Sequence, residues 1–145
     1  MKNIDLKGLN EELKRFAKNH PQINMFKSTP DEEATGKDLE YPLMWVNLGN
    51  ADPSQGAVTV SLDVLFVDRT TDGADNYIDV MNDMLRLFND YYTMYNENEE
   101  DYEFIIEVDA TAVPIKMQYD NSVCGYKTST RAILRNYRNE EQIPR

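Results

Sequence analysis

Few side chains in this sequence are able to do chemistry. There is one histidine, His20, and one cysteine, Cys124. His20 stands before Pro21, where it reads either as a proton-transfer base or as the end of a helix; the proline favours the helix end. Cys124 reads either as a nucleophile or as a structural thiol. No second histidine exists to activate it, and it sits in an alternating strand pattern, so the structural role is favoured. A metal centre built from His and Cys ligands is excluded by count. Glu97, Glu99, Glu100 and Asp101 crowd one short stretch, as in a calcium loop. They lack the Asp-x-Asp-x-Asp-Gly spacing with its distal glutamate, so a solvated acidic loop is the simpler reading. Asp63, Asp68 and Asp72 form no paired-carboxylate motif. Gly49, Gly56 and Gly73 each stand alone, so no phosphate-cradling loop is present. Tyr77, Tyr91, Tyr92 and Tyr95 suit either a core or an interface, and Tyr91 and Tyr95 are the interface candidates. The expectation is a protein without catalytic residues, cofactor or metal.

Charge says more about partners. The chain carries 15 Lys and Arg against 26 Asp and Glu, a net charge of −11. Residues 72–120 hold thirteen acids and only two bases, Arg86 and Lys116, and so account for the whole excess. Duplex DNA would not be held through its phosphates without a strong local basic patch, and an anionic membrane offers no attraction. Residues 123–138 run the other way, with Lys127, Arg131, Arg135 and Arg138 and no acid. That segregation predicts that these four basic residues meet acidic surface on a neighbouring subunit or ring, because opposite patches steer association and fix register; the alternative is a set of solvated strand faces. A single cysteine allows no disulfide within the chain, which suits a reducing compartment. The first ten residues show no apolar signal-peptide core, and no apolar run reaches the length of a membrane span.

The elements that must position these residues follow from periodicity. At 145 residues with 41% hydrophobic content, the chain fits one domain with one real core. Leu6, Leu9, Leu13 and Phe16 make one stripe of an amphipathic helix, capped by Asn3 or Asp5 and stopped at Asn19-His20-Pro21. Residues 22–40 carry turn signals and read as a long loop that Ile23, Met25 and Phe26 dock on the core. A short strand over 43–48 precedes a flexible connection over 49–56. Residues 57–68 are the clearest strand: Val58, Val60, Leu62, Val64 and Phe66 alternate with Thr59, Ser61 and Asp63, and its end is apolar on both faces, as in a central strand. A main helix over 74–95 has two apolar stripes. One is Ile78, Met81, Leu85, Phe88, Tyr92 and Tyr95; the other is Tyr77, Val80, Met84, Leu87, Tyr91 and Met94. So broad an apolar surface predicts burial against a sheet and against something else. Two further strands are expected over 104–108 and 113–119, the second at a sheet edge because Pro114 lacks a donor. A turn at Asp120-Asn121 leads to a long last strand over 124–135, and residues 136–145 read as a polar tail. The order is helix, strand, strand, helix, strand, strand, strand. It predicts an α+β fold, with a largely antiparallel sheet and the helices on one face.

Five features taken together resemble a known family. They are the first helix, the Tyr41-Pro42-Leu43-Met44-Trp45-Val46 strand start, the strand ending Leu65-Phe66-Val67-Asp68, the helix after Thr71-Asp72, and Asn121-Ser122-Val123-Cys124-Gly125-Tyr126 leading into the last strand. In this order they are similar to the tail-terminator and neck-ring, or head-to-tail connector, proteins of tailed bacteriophages, with the neck rings of short-tailed crAss-like phages the closest in kind. The long 22–40 loop departs from that pattern. The resemblance implies a virion protein, assembled in the host bacterial cytoplasm, whose copies close into rings of six or twelve. Such rings sit between portal, adjoining neck ring and tail proteins and leave a channel for DNA without binding it specifically. Loops narrow such channels, which here makes Asp52, Glu97, Glu99, Glu100 and Asp101 the lining candidates. An acidic lumen repels phosphates and lets DNA slide. Two other readings stand beside it: a small acidic intracellular adaptor or chaperone binding a partner through its tyrosine-rich helix, and an enzyme with carboxylate-only chemistry.

Overall fold

The computed structural model describes residues 5–28, 39–54, 56–71, 75–97, 105–117 and 120–135. Two helices and five strands follow in the order α1 (Leu6–Asn19), β1 (Met25–Lys27), β2 (Leu43–Ser54), β3 (Ala57–Arg69), α2 (Tyr77–Glu97), β4 (Ile105–Met117) and β5 (Asp120–Arg135). The strands form one sheet in the order β1-β2-β3-β5-β4. All neighbours are antiparallel except β1 with β2, which run parallel. The fold is therefore α+β with a largely antiparallel sheet, and β3 is its central strand.

Local chemistry explains each boundary. Asp5 caps α1, its carboxylate accepting from the Gly8 N–H at 2.8 Å. His20 ends the helix in extended conformation. In place of a bare loop, residues 25–27 pair with Leu43, Met44 and Trp45 as β1. Asn24 anchors this short strand: its N–H donates to the Pro42 carbonyl and its amide to the Tyr41 carbonyl. The Tyr41–Pro42 peptide is cis.

The connection expected over 49–56 is mostly strand. β2 continues to Ser54, which pairs with Ala57, and Gly56 supplies the left-handed φ of 71° that the tight hairpin needs. The register shifts between Leu48 and Ala51, and every residue from Leu48 to Ser54 is exposed. An arm with no buried face carries no apolar alternation, so its Gly, Asn, Asp and Pro read as a loop. The two strands expected over 104–108 and 113–119 are one strand, β4, with an irregularity between Val108 and Ala112. β4 lies at the sheet edge, as Pro114 requires. Asp120 and Asn121 begin β5 and do not form a separate turn.

One cluster of buried residues unites both helices with one face of the sheet. Leu9, Leu13 and Phe16 of α1 and Val80, Met84, Leu87 and Tyr91 of α2 pack with Met44, Val46, Leu62, Val64, Phe66, Ala132 and Leu134 of the strands. α1 lies against β1, and α2 crosses β3, β5 and β4. The opposite face carries a smaller cluster, Leu43, Trp45, Leu65, Val67 and Val123, with Tyr41 and Ile115 packed on it. β2 and β3 are thus apolar on both faces only where both clusters exist.

Gly125 is fixed by close approach. A Cβ there would stand 1.8 Å from the Phe66 carbonyl oxygen, so no larger residue fits without moving β3 or β5. This is a physical reason for the glycine before Tyr126 at the start of the last strand.

Candidate functional site

The histidine and the cysteine both have partners or burial within the fold. His20 joins the two helices. Its Nδ1 accepts from the Gln22 N–H at 3.2 Å, which places the proton of the neutral ring on Nε2, where it donates to Asp90 Oδ2 at 2.8 Å. Both ring nitrogens thus have a partner within the chain. Cys124 is buried in β5, paired with Asp68 of β3 on one side and Lys116 of β4 on the other. Burial pushes its thiol up; the Lys116 charge opposes this and Asp68 adds to it. The carboxyl of Asp68 is also pushed up, by burial first, with the Arg69 N–H opposing and Asp83 adding. This row is the reverse of an activated thiolate. Among the described residues no group of three or more His, Cys, Asp or Glu is placed to hold a metal, and no helix is long and apolar enough to cross a membrane.

The two tyrosines expected at an interface are core residues, which corrects that reading. Tyr91 and Tyr95 are each 0% exposed. Tyr91 stacks edge-on with Phe16, Phe66 and Tyr95, at centroid distances of 5.6, 5.5 and 5.2 Å. Its hydroxyl shares a 2.8 Å hydrogen bond with buried Thr130, and burial pushes the phenol up. The Tyr95 hydroxyl donates to Glu12 on α1 at 2.8 Å. The second surface that α2 meets is therefore α1, and the tyrosines provide the join.

One of the basic residues of β5 has an acid beside it. Arg131 lies opposite Glu107 and donates to it at 3.2 Å. Ser129 donates to Asp63 on β3 at 3.3 Å. Together with Ser61 and Asp109, these residues line a shallow cavity of about 380 Å³ whose charges are of mixed sign. Lys127 is half-buried between Leu65 and Val113 in register. Arg135 lies in β5 opposite Ala57, and Arg138 lies outside the described residues. Arg131 thus has an acidic partner in its own sheet, in a pair whose side chains stay exposed. Of the channel candidates, Asp52 is exposed on the outer arm of β2 and Glu97 closes α2. Glu99, Glu100 and Asp101 lie outside the described residues.

What the fold offers instead is two unlike sheet edges. β1 covers β2 only at Leu43, Met44 and Trp45, so beyond Trp45 the outer edge of β2 has no strand beside it among the described residues. Leu48 is 59% exposed on that edge. It forms the mouth of a groove of about 430 Å³ between α1 and β2, lined mainly by Leu6, Leu9, Leu13, Val46 and Leu62. The opposite edge is β4. At Val108 it is closed by Asn96, whose side-chain amide both accepts from the Val108 N–H and donates to its carbonyl at 3.0 Å, as a strand would. The open part lies beyond the irregularity, where Val113 is 49% exposed. Pro114 and Lys116 there are the kind of residue that limits indiscriminate strand pairing. The sequence signals Pro114 as an edge, but neither Leu48 nor Val113, since both sit in patterns that also describe buried strands. No family model matches the chain, and no curated protein is similar to it in sequence.

Proposed function

We propose that this chain is a structural subunit of the head-to-tail junction of a tailed bacteriophage, assembling with copies of itself into a ring of six or twelve around a DNA path. The observation that carries the reading is the pair of unlike open edges on one sheet. An edge that meets a different edge makes a heterologous contact, and repetition of such a contact closes into a ring when its rotation allows. The apolar groove beside Leu48 gives the β2 edge more than backbone groups to offer. Pro114 and the register shifts of β2 and β4 keep the contact short, which opposes open-ended pairing.

Charge completes the reading. A net charge of −11 disfavours a grip on DNA, and the exposed arm of β2, carrying Asp52, is the described part best shaped to reach a lumen. The ring joins portal, adjoining neck ring and tail proteins in the virion and turns over no substrate. The adaptor reading is weaker, because the rings of Tyr91 and Tyr95 are spent inside the core.

Light scattering coupled to size-exclusion chromatography tests this. The expected mass is about 100 or about 200 kDa, six or twelve times the 16.8 kDa chain, with a central hole in negative-stain images. A monomer at roughly 100 μM, far above the Kd range of stable assemblies, would contradict it. Duplex binding of micromolar strength or tighter at about 150 mM salt would contradict the passive channel.

A further inference from the structure

His20 holds three parts of the fold at one point. Its backbone ends α1, the N–H donating to the Ala17 carbonyl at 3.3 Å. Its Nε2–H reaches α2 at Asp90 Oδ2, 2.8 Å away. Its Nδ1 accepts from the Gln22 N–H at 3.2 Å, in the turn that leads to β1. The ring also lies beside Phe16, at a centroid distance of 5.8 Å, and its side chain is only 12% exposed. Packing and two hydrogen bonds therefore orient it together.

The two bonds respond in opposite ways to one added proton. In the neutral ring Nδ1 is an acceptor and Nε2 a donor; in the charged ring both are donors. The bond to Asp90 survives protonation and becomes charge-assisted, which strengthens it. The bond to Gln22 cannot survive, because an amide N–H has nothing to donate to on a ring N–H. Two donors then face each other at hydrogen-bond distance. Histidine is the side-chain type that ordinarily crosses this change between about pH 5 and 8, and His20 is the only one in the chain. The charges around the ring are of both signs. Asp90 and Arg86 of α2 line the groove beside it, and Lys18 stands in the last turn of α1. The turn brings Pro21 and Gln22, neither of which titrates.

The segment beyond Gln22 is short of other ties. The Ile23 N–H donates to the His20 carbonyl at 3.3 Å, and Asn24 holds the Tyr41 and Pro42 carbonyls. β1 itself is three residues long and pairs only with Leu43, Met44 and Trp45. The Gln22 bond is the one tie here that a proton can remove.

We propose that His20 is a pH-operated latch. Neutral, it fastens the turn before β1 to the end of α1; charged, it releases the Gln22 N–H and fastens α1 more tightly to α2. The inference does not rest on the ring reading and holds for a single chain.

Nitrogen-15 NMR on the full chain tests it. At pH 8 the ring nitrogens of His20 should show the proton on Nε2. As the pH falls to about 5, the Gln22 amide should lose protection from solvent exchange in step with protonation of the ring. After correction for the intrinsic exchange rate, the loss should be about threefold or more, the worth of one net hydrogen bond. The Leu87 amide, inside α2, should show no such step. His20→Asn cannot take up a proton, so its Gln22 amide should show no step either. A proton on Nδ1 at pH 8 would overturn the proposal. So would a Gln22 amide that stays unchanged while the ring titrates, or a step that persists in His20→Asn. The wild-type measurements decide the matter even where His20→Asn fails to fold.

Discussion

Removal of the Tyr91 hydroxyl is the sharpest probe of the join between α1, α2 and the sheet. In Tyr91→Phe the ring and its contacts with Phe16, Phe66 and Tyr95 remain, and only the 2.8 Å bond to Thr130 is lost. Thr130 is 1% exposed, so its hydroxyl would be stranded without water. A buried polar group left unsatisfied costs about 1–3 kcal/mol. Thr130→Val strands the tyrosine hydroxyl in the same way and should cost a similar amount. The double variant removes both partners and leaves an apolar contact of nearly the same shape. It should be less destabilised than the sum of the two singles, by about 1 kcal/mol or more. Urea unfolding read by fluorescence of Trp45, the single tryptophan and fully buried, measures all three. The series belongs in a variant with a blocked sheet edge, so that assembly does not enter the stability. Single costs below about 0.3 kcal/mol, with strict additivity, would refute the buried pair and with it this packing of α2 on β5.

Other outcomes follow from the same geometry. Gly125→Ala puts a methyl group 1.8 Å from the Phe66 carbonyl oxygen and should cost about 3 kcal/mol or more in urea unfolding, beyond the usual range for overpacking because backbone must move. Asp68→Asn should stabilise the fold at neutral pH. Burial raises the folded carboxyl above its unfolded value, so the folded chain holds that proton more tightly and stability falls as pH rises from about 4 through the folded pKa. The gain should therefore vanish below about pH 4, and unfolding midpoints at both pH values check it. Cys124, buried with its thiol pushed up, should react with a chromogenic disulfide reagent only as the protein opens, and at full rate in urea.

Much of this architecture is legible in the sequence, and the failures share physical causes. α1 announces itself through a stripe of four apolar residues and the Asp5 cap, and β3 through strict alternation, because each packs one face on the core. β1 escapes notice because three residues show no period. The outer arm of β2 escapes because a strand segment exposed on both faces has the composition of a loop. β4 reads as two strands because its ladder with β5 is irregular between Val108 and Ala112. The double stripe of α2 is plain, but whether a tyrosine faces solvent or core depends on Thr130 and Glu12, which lie 39 and 83 residues away. Charge segregation along the chain is offset at one point in three dimensions: β4 sits beside β5 and brings Glu107 to Arg131.

A mixing experiment tests the two-edge ring most directly. Leu48→Arg blocks the β2 edge and Val113→Lys blocks the open part of β4; both residues are exposed, at 59% and 49%, so each variant should stay folded. Each alone should be a monomer by native mass spectrometry. Mixed together, they should form a one-to-one dimer and nothing larger, since one good edge of each kind remains. If either variant alone still forms the wild-type particle, or if the mixture stays monomeric, unlike edges do not build this assembly.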